Sequence, residues 1–376
     1  MYLFGLISGA ILLALIFHDA FEVMLLPRRV RRKLRFITLL FRYTWNLWSW
    51  LAERMALGIR RDTFLSLYGP LSLVMLIGSW VIGLIVGFAL IQCSLSFSAQ
   101  PVSFGANLLL SGDTFFTLGT ASLASMSKLR QSVAVFEAGT GLAFLAIVIG
   151  YLPVLYQLFS RRETHIIMLD ARAGSPPNAT TLLSRHGHRD SMHALDELLH
   201  EWEQWSAEVV ESHLSYPMLS YYRSQHDNQS WLAALTVIMD SCALVMVGIK
   251  DLPTFQARMT FSISRLAVVE LGRVLAVKPQ VLAETRLTSS DYAQMRAELK
   301  DSGMLIVDDE GAEERLIEFR STYEPFLTGL AEYLLLTLPG WLPSPWCSTT
   351  GKIVRVAGLR NVWSMQFRPN RPNPEI

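Results

Sequence analysis

The most constraining feature of this chain is a stretch without any charged side chain, which covers residues 63–112. A helix needs about 20 apolar residues, at about 1.5 Å each, to cross the roughly 30 Å hydrocarbon core of a bilayer. The stretch is too long for one crossing, and polar residues, a proline and a glycine interrupt it within 94–105. It therefore predicts an outer transmembrane helix over 64–95 and a short helix over 104–116 that reaches only about halfway.

Two further apolar runs flank this stretch. Residues 2–26 predict an N-terminal transmembrane helix rather than a signal peptide, because no basic segment precedes the run and no small-residue cleavage site follows it. A basic cluster at 28–35 closes the run. The other run predicts an inner helix over 129–160, which Arg161 and Arg162 end. With 51% hydrophobic and only 17% charged residues, the chain is expected to be a multi-pass membrane protein.

The basic residues indicate how these helices are oriented. Clusters at 28–35, 60–61 and 161–162 fall on one side of the predicted membrane, whereas the opposite side, 94–128, carries one acidic and one basic residue. Because basic loops stay in the cytoplasm, we expect the N-terminus outside the cell's inner membrane and the C-terminal domain in the cytoplasm.

A polar segment separates the short helix from the inner helix. Residues 111–122 read Ser-Gly-Asp-Thr-Phe-Phe-Thr-Leu-Gly-Thr-Ala-Ser. Non-helical backbone at membrane depth is tolerated only where it is buried in protein or lines a water-filled cavity, so we predict a re-entrant pore loop with a filter at 117–122. Four copies of such a loop can surround a dehydrated cation with backbone carbonyls. Gly119 supplies the positive φ that turning successive carbonyls toward one axis requires.

The order of outer helix, short helix, Thr-Leu-Gly and inner helix resembles the prokaryotic two-transmembrane potassium channel family over 64–160, with an extra N-terminal helix. Residues 111–119, Ser-x-Asp-Thr-x-x-Thr-Leu-Gly, are similar to the family signature Ser-x-Glu-Thr-x-x-Thr-Val-Gly. Residues 136–141 are similar to the Glu-Ala-x-x-Gly of its pore-lining helix. The resemblance implies a homotetramer in the lipid bilayer that passes potassium ions and needs no cofactor. Its carbonyl filter would consist of Thr117, Leu118, Gly119, Thr120 and Ala121.

The resemblance also implies filter support and reveals a departure. Asp113 aligns with a buried glutamate behind the family's filter, where it would hold a filter amide or Ser122, next to Thr114. The family continues with Tyr-Gly-Asp where this chain has Thr120, Ala121 and Ser122. Alanine costs about 1–2 kcal/mol in a left-handed conformation, so we expect a rebuilt or widened outer half of the filter. Conduction of potassium and weak selectivity among monovalent cations both remain open.

The inner helix carries residues that suit either a gating hinge or close helix packing. They are Gly139, Gly141, Gly150 and Pro153. Glu137 is a single acid in this apolar helix, and we expect it to pair with Lys128, Arg130 or a backbone group of the short helix.

Beyond Arg162 the pattern becomes that of a helical domain. Residues 231–249 are apolar enough for a fourth crossing, but Asp240 at their centre favours a buried helix in a cytoplasmic bundle. No Gly-x-Gly-x-x-Gly follows a strand-like run, so no nucleotide-binding domain is indicated, and any regulatory ligand is unspecified. The clustered histidines fit a solvated segment better than a metal site. They are His186, His188, His193 and His200.

These observations predict an all-α membrane protein in five segments. They are an N-terminal transmembrane helix with its basic stop (1–35), an interfacial amphipathic helix (36–62), a potassium-channel-like pore module (63–162), a helical cytoplasmic domain (163–338) and an irregular tail (339–376). The expected function is a tetrameric cation channel, and the alternative is a non-conducting, channel-like scaffold or sensor. An enzyme is disfavoured because no nucleophile has an adjacent base, and the balanced net charge of +1 does not suggest a nucleic-acid partner.

Overall fold

The computed structural model describes residues 2–24, 36–96, 102–122, 124, 126–186, 192–226, 229–250, 253–281, 285–307, 311–343, 346–349 and 352–355. The basic cluster predicted at 28–35 and His188 lie outside these residues. Three of the described helical segments are long and apolar enough to cross a membrane, at Leu3–Met24, Ile59–Ser96 and Lys128–Ala173. The predicted all-helical architecture with three candidate membrane spans is therefore confirmed.

The described chain forms two compact units. Unit 1 comprises Met1–Arg162, Glu208–Arg223 and Val269–Val277; unit 2 comprises Glu163–Ala207, Ser224–Val268 and Lys278–Ile376. The first six helices are α1 (Tyr2–Met24), α2 (Phe36–Glu53), α3 (Ile59–Ser66), α4 (Tyr68–Ser96), α5 (Phe104–Phe115) and α6 (Lys128–Ala173). They are followed by α7 (Ala179–Ser184), α8 (Met192–Ser215), a 3₁₀ turn (Pro217–Tyr221), α9 (Trp231–Val247), α10 (Phe255–Leu275), α11 (Ser289–Asp301), α12 (Ala312–Ser321) and α13 (Glu324–Leu334).

In unit 1, α1 and α4 pack closely because glycines face each other. A Cβ atom at Gly9 would lie 2.8 Å from the carbonyl oxygen of Gly87, so only hydrogen fits at that point. Small residues allow helix backbones to approach in this way inside membranes. The Trp80 indole N–H of α4 also donates a 2.8 Å hydrogen bond to the Asp19 carboxylate of α1. Packing and a polar contact thus join the N-terminal helix to the outer helix.

The segment predicted as one interfacial helix over 36–62 is two helices, since α2 ends at Glu53 and α3 begins at Ile59. One face of α2 is aromatic and buried: the Trp45 ring lies 4.8 Å from that of Tyr68 and 5.1 Å from that of Tyr221. The opposite face is exposed, with Tyr43 70% accessible. This amphipathic pattern accounts for the mixture of aromatic and polar residues in the sequence.

The inner helix α6 continues well beyond the predicted end at residue 160, to Ala173. The prediction assumed that Arg161 and Arg162 mark the helix end, and this was wrong. Arg162 is 4% exposed and donates hydrogen bonds to the carbonyl oxygens of Leu219 (3.0 Å) and Tyr222 (2.7 Å). Because these carbonyl acceptors replace water around the guanidinium, Arg162 can be buried. The helix therefore continues past it.

Arg162 also contacts His213 of α8, which is 1% exposed. The His213 Nε2 atom lies 3.2 Å from Arg162 Nη1, and its Nδ1 atom lies 2.8 Å from the Val209 carbonyl oxygen. Arginine can only donate and a carbonyl can only accept, so the ring is neutral with its proton on Nδ1. Burial lowers the pKa of His213 well below its usual range, and the positive charge of Arg162 lowers it further.

We therefore expect this histidine to make the fold acid-sensitive. Below the unfolded-state pKa of about 6.5, the unfolded chain binds a proton that buried His213 does not, so stability falls by up to about 1.4 kcal/mol per pH unit as pH decreases. In His213→Gln, the amide retains a donor and an acceptor but does not titrate. The melting temperature in detergent, followed from pH 7.5 to 5.5, should fall less for this variant than for the wild type.

The matched control for this measurement is His193→Gln. His193 has an 85% exposed side chain and should leave the pH dependence of melting unchanged. Parallel melting curves for the wild type and His213→Gln would contradict the neutral, buried assignment.

Unit 2 is organised around α9. Every residue from Trp231 to Val245 is buried, and α9 packs against α7, α12 and α13. Ser230 caps the helix by accepting the Ala233 amide at 3.0 Å. The apolar run at 231–249, which could be mistaken for a crossing, is thus the central helix of a helical bundle, as predicted.

Asp240, the charge at the centre of α9, lies in a buried ionic cluster. Its carboxylate accepts hydrogen bonds from the Tyr323 hydroxyl (2.7 Å) and from the Arg286 guanidinium. Glu324 accepts two hydrogen bonds from Arg320, at 3.0 and 3.1 Å, and lies 3.6 Å from Arg286. Two acids and two arginines therefore balance their charges in a largely buried cluster.

The prediction of an irregular tail over 339–376 is wrong for one short part. Strands β1 (Trp346–Thr349) and β2 (Lys352–Arg355) pair antiparallel, with Cys347 opposite Val354 and Ser348 opposite Ile353. β-Branched residues such as Ile353 and Val354 favour strands. The remainder of the tail after Arg355 lies outside the described residues.

Candidate functional site

The short helix α5 begins where the sequence predicts it. Ser103 is its N-cap and accepts the Ala106 amide at 3.3 Å, after which the helix runs from Phe104 to Phe115. Twelve residues at about 1.5 Å each reach about 18 Å, little more than half the hydrocarbon thickness. α5 is therefore too short to cross a bilayer by itself.

Two backbone hydrogen bonds close the end of α5. Leu118 N–H donates to the Asp113 carbonyl oxygen at 2.9 Å, and Thr117 N–H donates to the Thr114 carbonyl oxygen at 3.1 Å. This is the Schellman pattern, which requires a left-handed residue just past the helix. Thr117 occupies that position with φ 53°, although glycine is preferred there. A β-branched residue in this conformation costs about 1–3 kcal/mol, and such strain concentrates at functional sites.

The loop after α5 alternates in the sign of φ. Thr117 has φ 53° and Gly119 has φ 72°, whereas neither Leu118 nor Thr120 has a positive φ. Alternation between right- and left-handed residues gathers N–H groups on one edge of the chain, as in anion-binding nests.

The carboxylate of Asp113 accepts hydrogen bonds from the two residues that follow Gly119. One oxygen accepts the Thr120 amide at 2.9 Å and the Thr120 hydroxyl, and the other accepts the Ala121 amide at 3.2 Å. In its ionised form the carboxylate supplies the acceptors that these three donors need. Asp113 therefore contacts two amides of the predicted filter, and its described hydrogen bonds do not include the alternative partner Ser122.

The other predicted loop residues divide by exposure. Thr114 is buried on α5, whereas Thr117, Leu118, Gly119 and Thr120 are exposed in the single chain. Leu118 is 66% exposed, which is unusual for a leucine held in a defined turn. Asp113 thus fixes the loop through hydrogen bonds, while residues 117–120 are exposed to solvent in the single chain.

The inner-helix residues have different environments, although α6 is continuous through all of them. A Cβ atom at Gly141 would lie 2.1 Å from the Phe115 carbonyl oxygen, so Gly141 is where the end of α5 touches α6. Nothing lies within 4 Å of a Cβ atom at Gly139 or Gly150, and Pro153 is exposed. Of the two interpretations left open by the sequence, close packing fits Gly141.

A polar cluster that sequence analysis missed anchors the N-terminal half of α5. The buried Arg130 of α6 donates to the side-chain oxygens of Gln92 on α4 (3.1 Å) and Asn107 on α5 (2.7 Å). Gln92 in turn donates to the Arg130 carbonyl oxygen at 3.1 Å. Neutral, fully buried amides thus solvate the charge and tie three helices together. The only signal in the sequence was the presence of amides in a stretch without charges.

Glu137 has a different partner from those predicted. It contacts the Ser111 hydroxyl of α5 rather than Lys128, Arg130 or a backbone group. Arg130, seven residues before Glu137 and about two helical turns away, donates instead to the amide oxygens of Gln92 and Asn107. Glu137 is 0% exposed, so this contact lies in the interior of unit 1.

Comparisons with known proteins indicate a membrane protein and assign no activity. No protein-family model and no solved structure matches the chain. The uncharacterized membrane protein YdjJ of Bacillus subtilis (strain 168) is 23% identical over 210 residues, which are 54% of this chain and 60% of that protein. The chain therefore matches about three fifths of the relative's length. This similarity and the three apolar helices are consistent with a membrane location.

Proposed function

We propose that this protein is a homotetrameric channel for monovalent cations that conducts potassium and discriminates only weakly against sodium. Four copies of the loop at 117–119 would form the inner part of a carbonyl-lined filter. In this proposal the protein lies in the inner membrane of the cell, with its N-terminus outside and unit 2 in the cytoplasm. The resemblance to two-transmembrane potassium channels led to this hypothesis, and the geometry of the loop supports it.

The observation that carries the proposal is the alternating backbone of Thr117, Leu118 and Gly119 above the end of a half-length helix. Asp113 accepts the amides of the next two residues, Thr120 and Ala121. In this proposal the carbonyl groups of 117–119 face away from Asp113 and toward the ion. A cation filter needs such a row of carbonyls. The C-terminal end of α5, which carries the negative end of the helix dipole, lies next to this loop and also favours a cation there.

The exposed position of the loop explains why the proposal requires four copies. One chain gives a cation oxygen ligands on one side only, and residues 117–120 have no cover in the single chain. A symmetric ring places the same carbonyls around the ion without burying a net charge. The exposed apolar side chains on α6, such as Leu145 at 55%, would face lipid or neighbouring subunits.

The same geometry limits the expected selectivity. The alternation ends at Gly119, and the amides of Thr120 and Ala121 are engaged by Asp113. The proposed filter is therefore shorter than that of the family it resembles, with fewer carbonyl sites in series. We propose weak discrimination between potassium and sodium on this basis.

Liposome flux with the purified protein tests the proposal. We expect potassium and sodium flux in the wild type and at least about a tenfold loss in Gly119→Ala, because alanine at φ 72° costs about 1–2 kcal/mol in each of four subunits. Gly112→Ala is the matched control, since Gly112 lies in α5 with nothing within 4 Å of its added Cβ. Its flux should equal that of the wild type.

Mass measurement in detergent accompanies the flux assay. A monomer or dimer would contradict the channel, because a ring of four loops could not form. A tetramer that passes no cation under potassium, sodium or calcium gradients would instead favour the non-conducting scaffold, for which the shortened filter is the supporting observation.

A further inference from the structure

We propose that Glu137 is a positioning residue in its protonated, neutral form. The proton makes a hydrogen bond that fixes the short helix α5 between α4 and α6. The inference deepens the proposed function, since α5 carries the loop that would form the filter. It rests on the hydrogen-bond geometry around Ser111 of α5, which contacts Ile85 of α4 and Glu137 of α6.

The first argument is a count of protons. The Ser111 hydroxyl lies 2.8 Å from the Ile85 carbonyl oxygen of α4 and also contacts Oε1 of Glu137. A serine hydroxyl has one proton to donate, and an ionised carboxylate and a carbonyl can only accept. Both contacts are hydrogen bonds only if the Glu137 carboxyl group donates to Ser111 while Ser111 donates to Ile85.

The second argument is the surroundings of the acid. Glu137 is 0% exposed, and none of its described contacts is with a lysine, an arginine or a histidine. Its Oε2 atom is buried without a hydrogen-bond partner. An ionised carboxylate in the bilayer interior needs a counter-charge or several donors, whereas a neutral carboxylic acid tolerates one unpaired oxygen far better.

The consequence is a directed chain from α6 through α5 to α4. Glu137 donates to Ser111, and Ser111 donates to Ile85, two residues before the close-packed Gly87. Ser111 is only two residues from Asp113, whose carboxylate holds the loop. The protonated acid therefore sets the position of the part of α5 from which Asp113 reaches the Thr120 amide.

Infrared spectroscopy of the purified protein at pH 7.5 tests the protonation directly. We expect a C=O stretching band of a carboxylic acid in the wild type that disappears in Glu137→Gln. Glu53→Gln is the matched control, because Glu53 is exposed and should contribute no such band. Absence of a difference between the wild type and Glu137→Gln overturns the proposal.

Rescue by the amide tests the positioning role. Glutamine at 137 can still donate to Ser111, so we expect wild-type melting temperature and an unchanged ratio of potassium to sodium flux. Glu137→Ala and Ser111→Ala should both lower the melting temperature and change the flux ratio at least about fivefold, since each leaves buried polar groups unpaired. A glutamine variant as impaired as the alanine variant contradicts the proposal.

These readouts separate the inference from the proposed function. Failure of cation flux in every variant and in the wild type would contradict the channel alone. The infrared band and the melting temperatures would still decide whether Glu137 is a protonated acid that fixes α5.

Discussion

Replacing Gly141 by alanine should destabilise the protein by about 2–3 kcal/mol and, if the proposed channel function holds, abolish cation flux. The added Cβ would lie 2.1 Å from the Phe115 carbonyl oxygen, and the obstacle is backbone rather than a flexible side chain. Overpacking of this kind typically costs about 1–3 kcal/mol, because the neighbouring helix must move. The end of α5 would shift with it, and that end carries the loop. Thermal unfolding in detergent and liposome flux measure the two effects.

Gly139→Ala provides the control for this experiment. It lies two residues away in α6, with nothing within 4 Å of its added Cβ, so alanine should be neutral or raise stability by up to about 1 kcal/mol. Equal melting temperatures for the two alanine variants would contradict the close contact between α6 and the end of α5.

Asp240→Ala should destabilise the chain by about 3–5 kcal/mol, the largest effect that we expect for a single substitution. It leaves the Arg286 guanidinium, 7% exposed, without its closest counter-charge and removes the acceptor of the Tyr323 hydroxyl. Breaking a buried ion pair by deleting one partner costs far more than the pair itself contributes. Thermal unfolding of the full chain measures the loss.

Two variants make this measurement specific. Asp240→Asn keeps an acceptor for Tyr323 and should lose less than Asp240→Ala, because only the charge is removed. Arg273→Ala removes a 70% exposed member of an ion pair with Glu270 and should change stability by about 1 kcal/mol or less. A loss for Asp240→Ala no larger than that for Arg273→Ala would contradict a desolvated cluster.

Much of the fold follows from simple sequence patterns. Long apolar runs with few charges predict the three membrane-length helices, because inserting charges in hydrocarbon is costly. The polar interruption within 94–105 predicts a new helix from 104, and α5 begins at Phe104, where Ser103 caps it. Asp240 at the centre of an apolar segment correctly separates α9 from a crossing, since a 17-residue helix with a central acid suits a protein core.

The errors arose where tertiary partners override local signals. Arg162 reads as a membrane stop, but carbonyl groups from a segment more than fifty residues later satisfy its guanidinium and let α6 continue. That helix ends instead at Ala173, and the next residue, Gly174, has φ 87° and donates its N–H to the Asp170 carbonyl oxygen. Nothing in a local window reveals such distant acceptors.

The candidate site was predictable in outline and not in detail. Gly119 with a positive φ and Asp113 as an amide acceptor follow from the sequence motif. The left-handed Thr117 does not, because threonine rarely adopts that conformation and only the closure of α5 requires it. The Arg130 cluster joins residues on three helices, and no spacing within one helix links them.

The carboxylate of Asp113 and the amides it accepts belong to one chain and lie within eight residues of each other. Each subunit can therefore give its loop a defined shape before it meets another copy. In the proposed tetramer, assembly would join four segments that are already ordered, so little conformational entropy is lost at that step. A subunit that fails to form these hydrogen bonds would therefore be defective before it assembles with other copies.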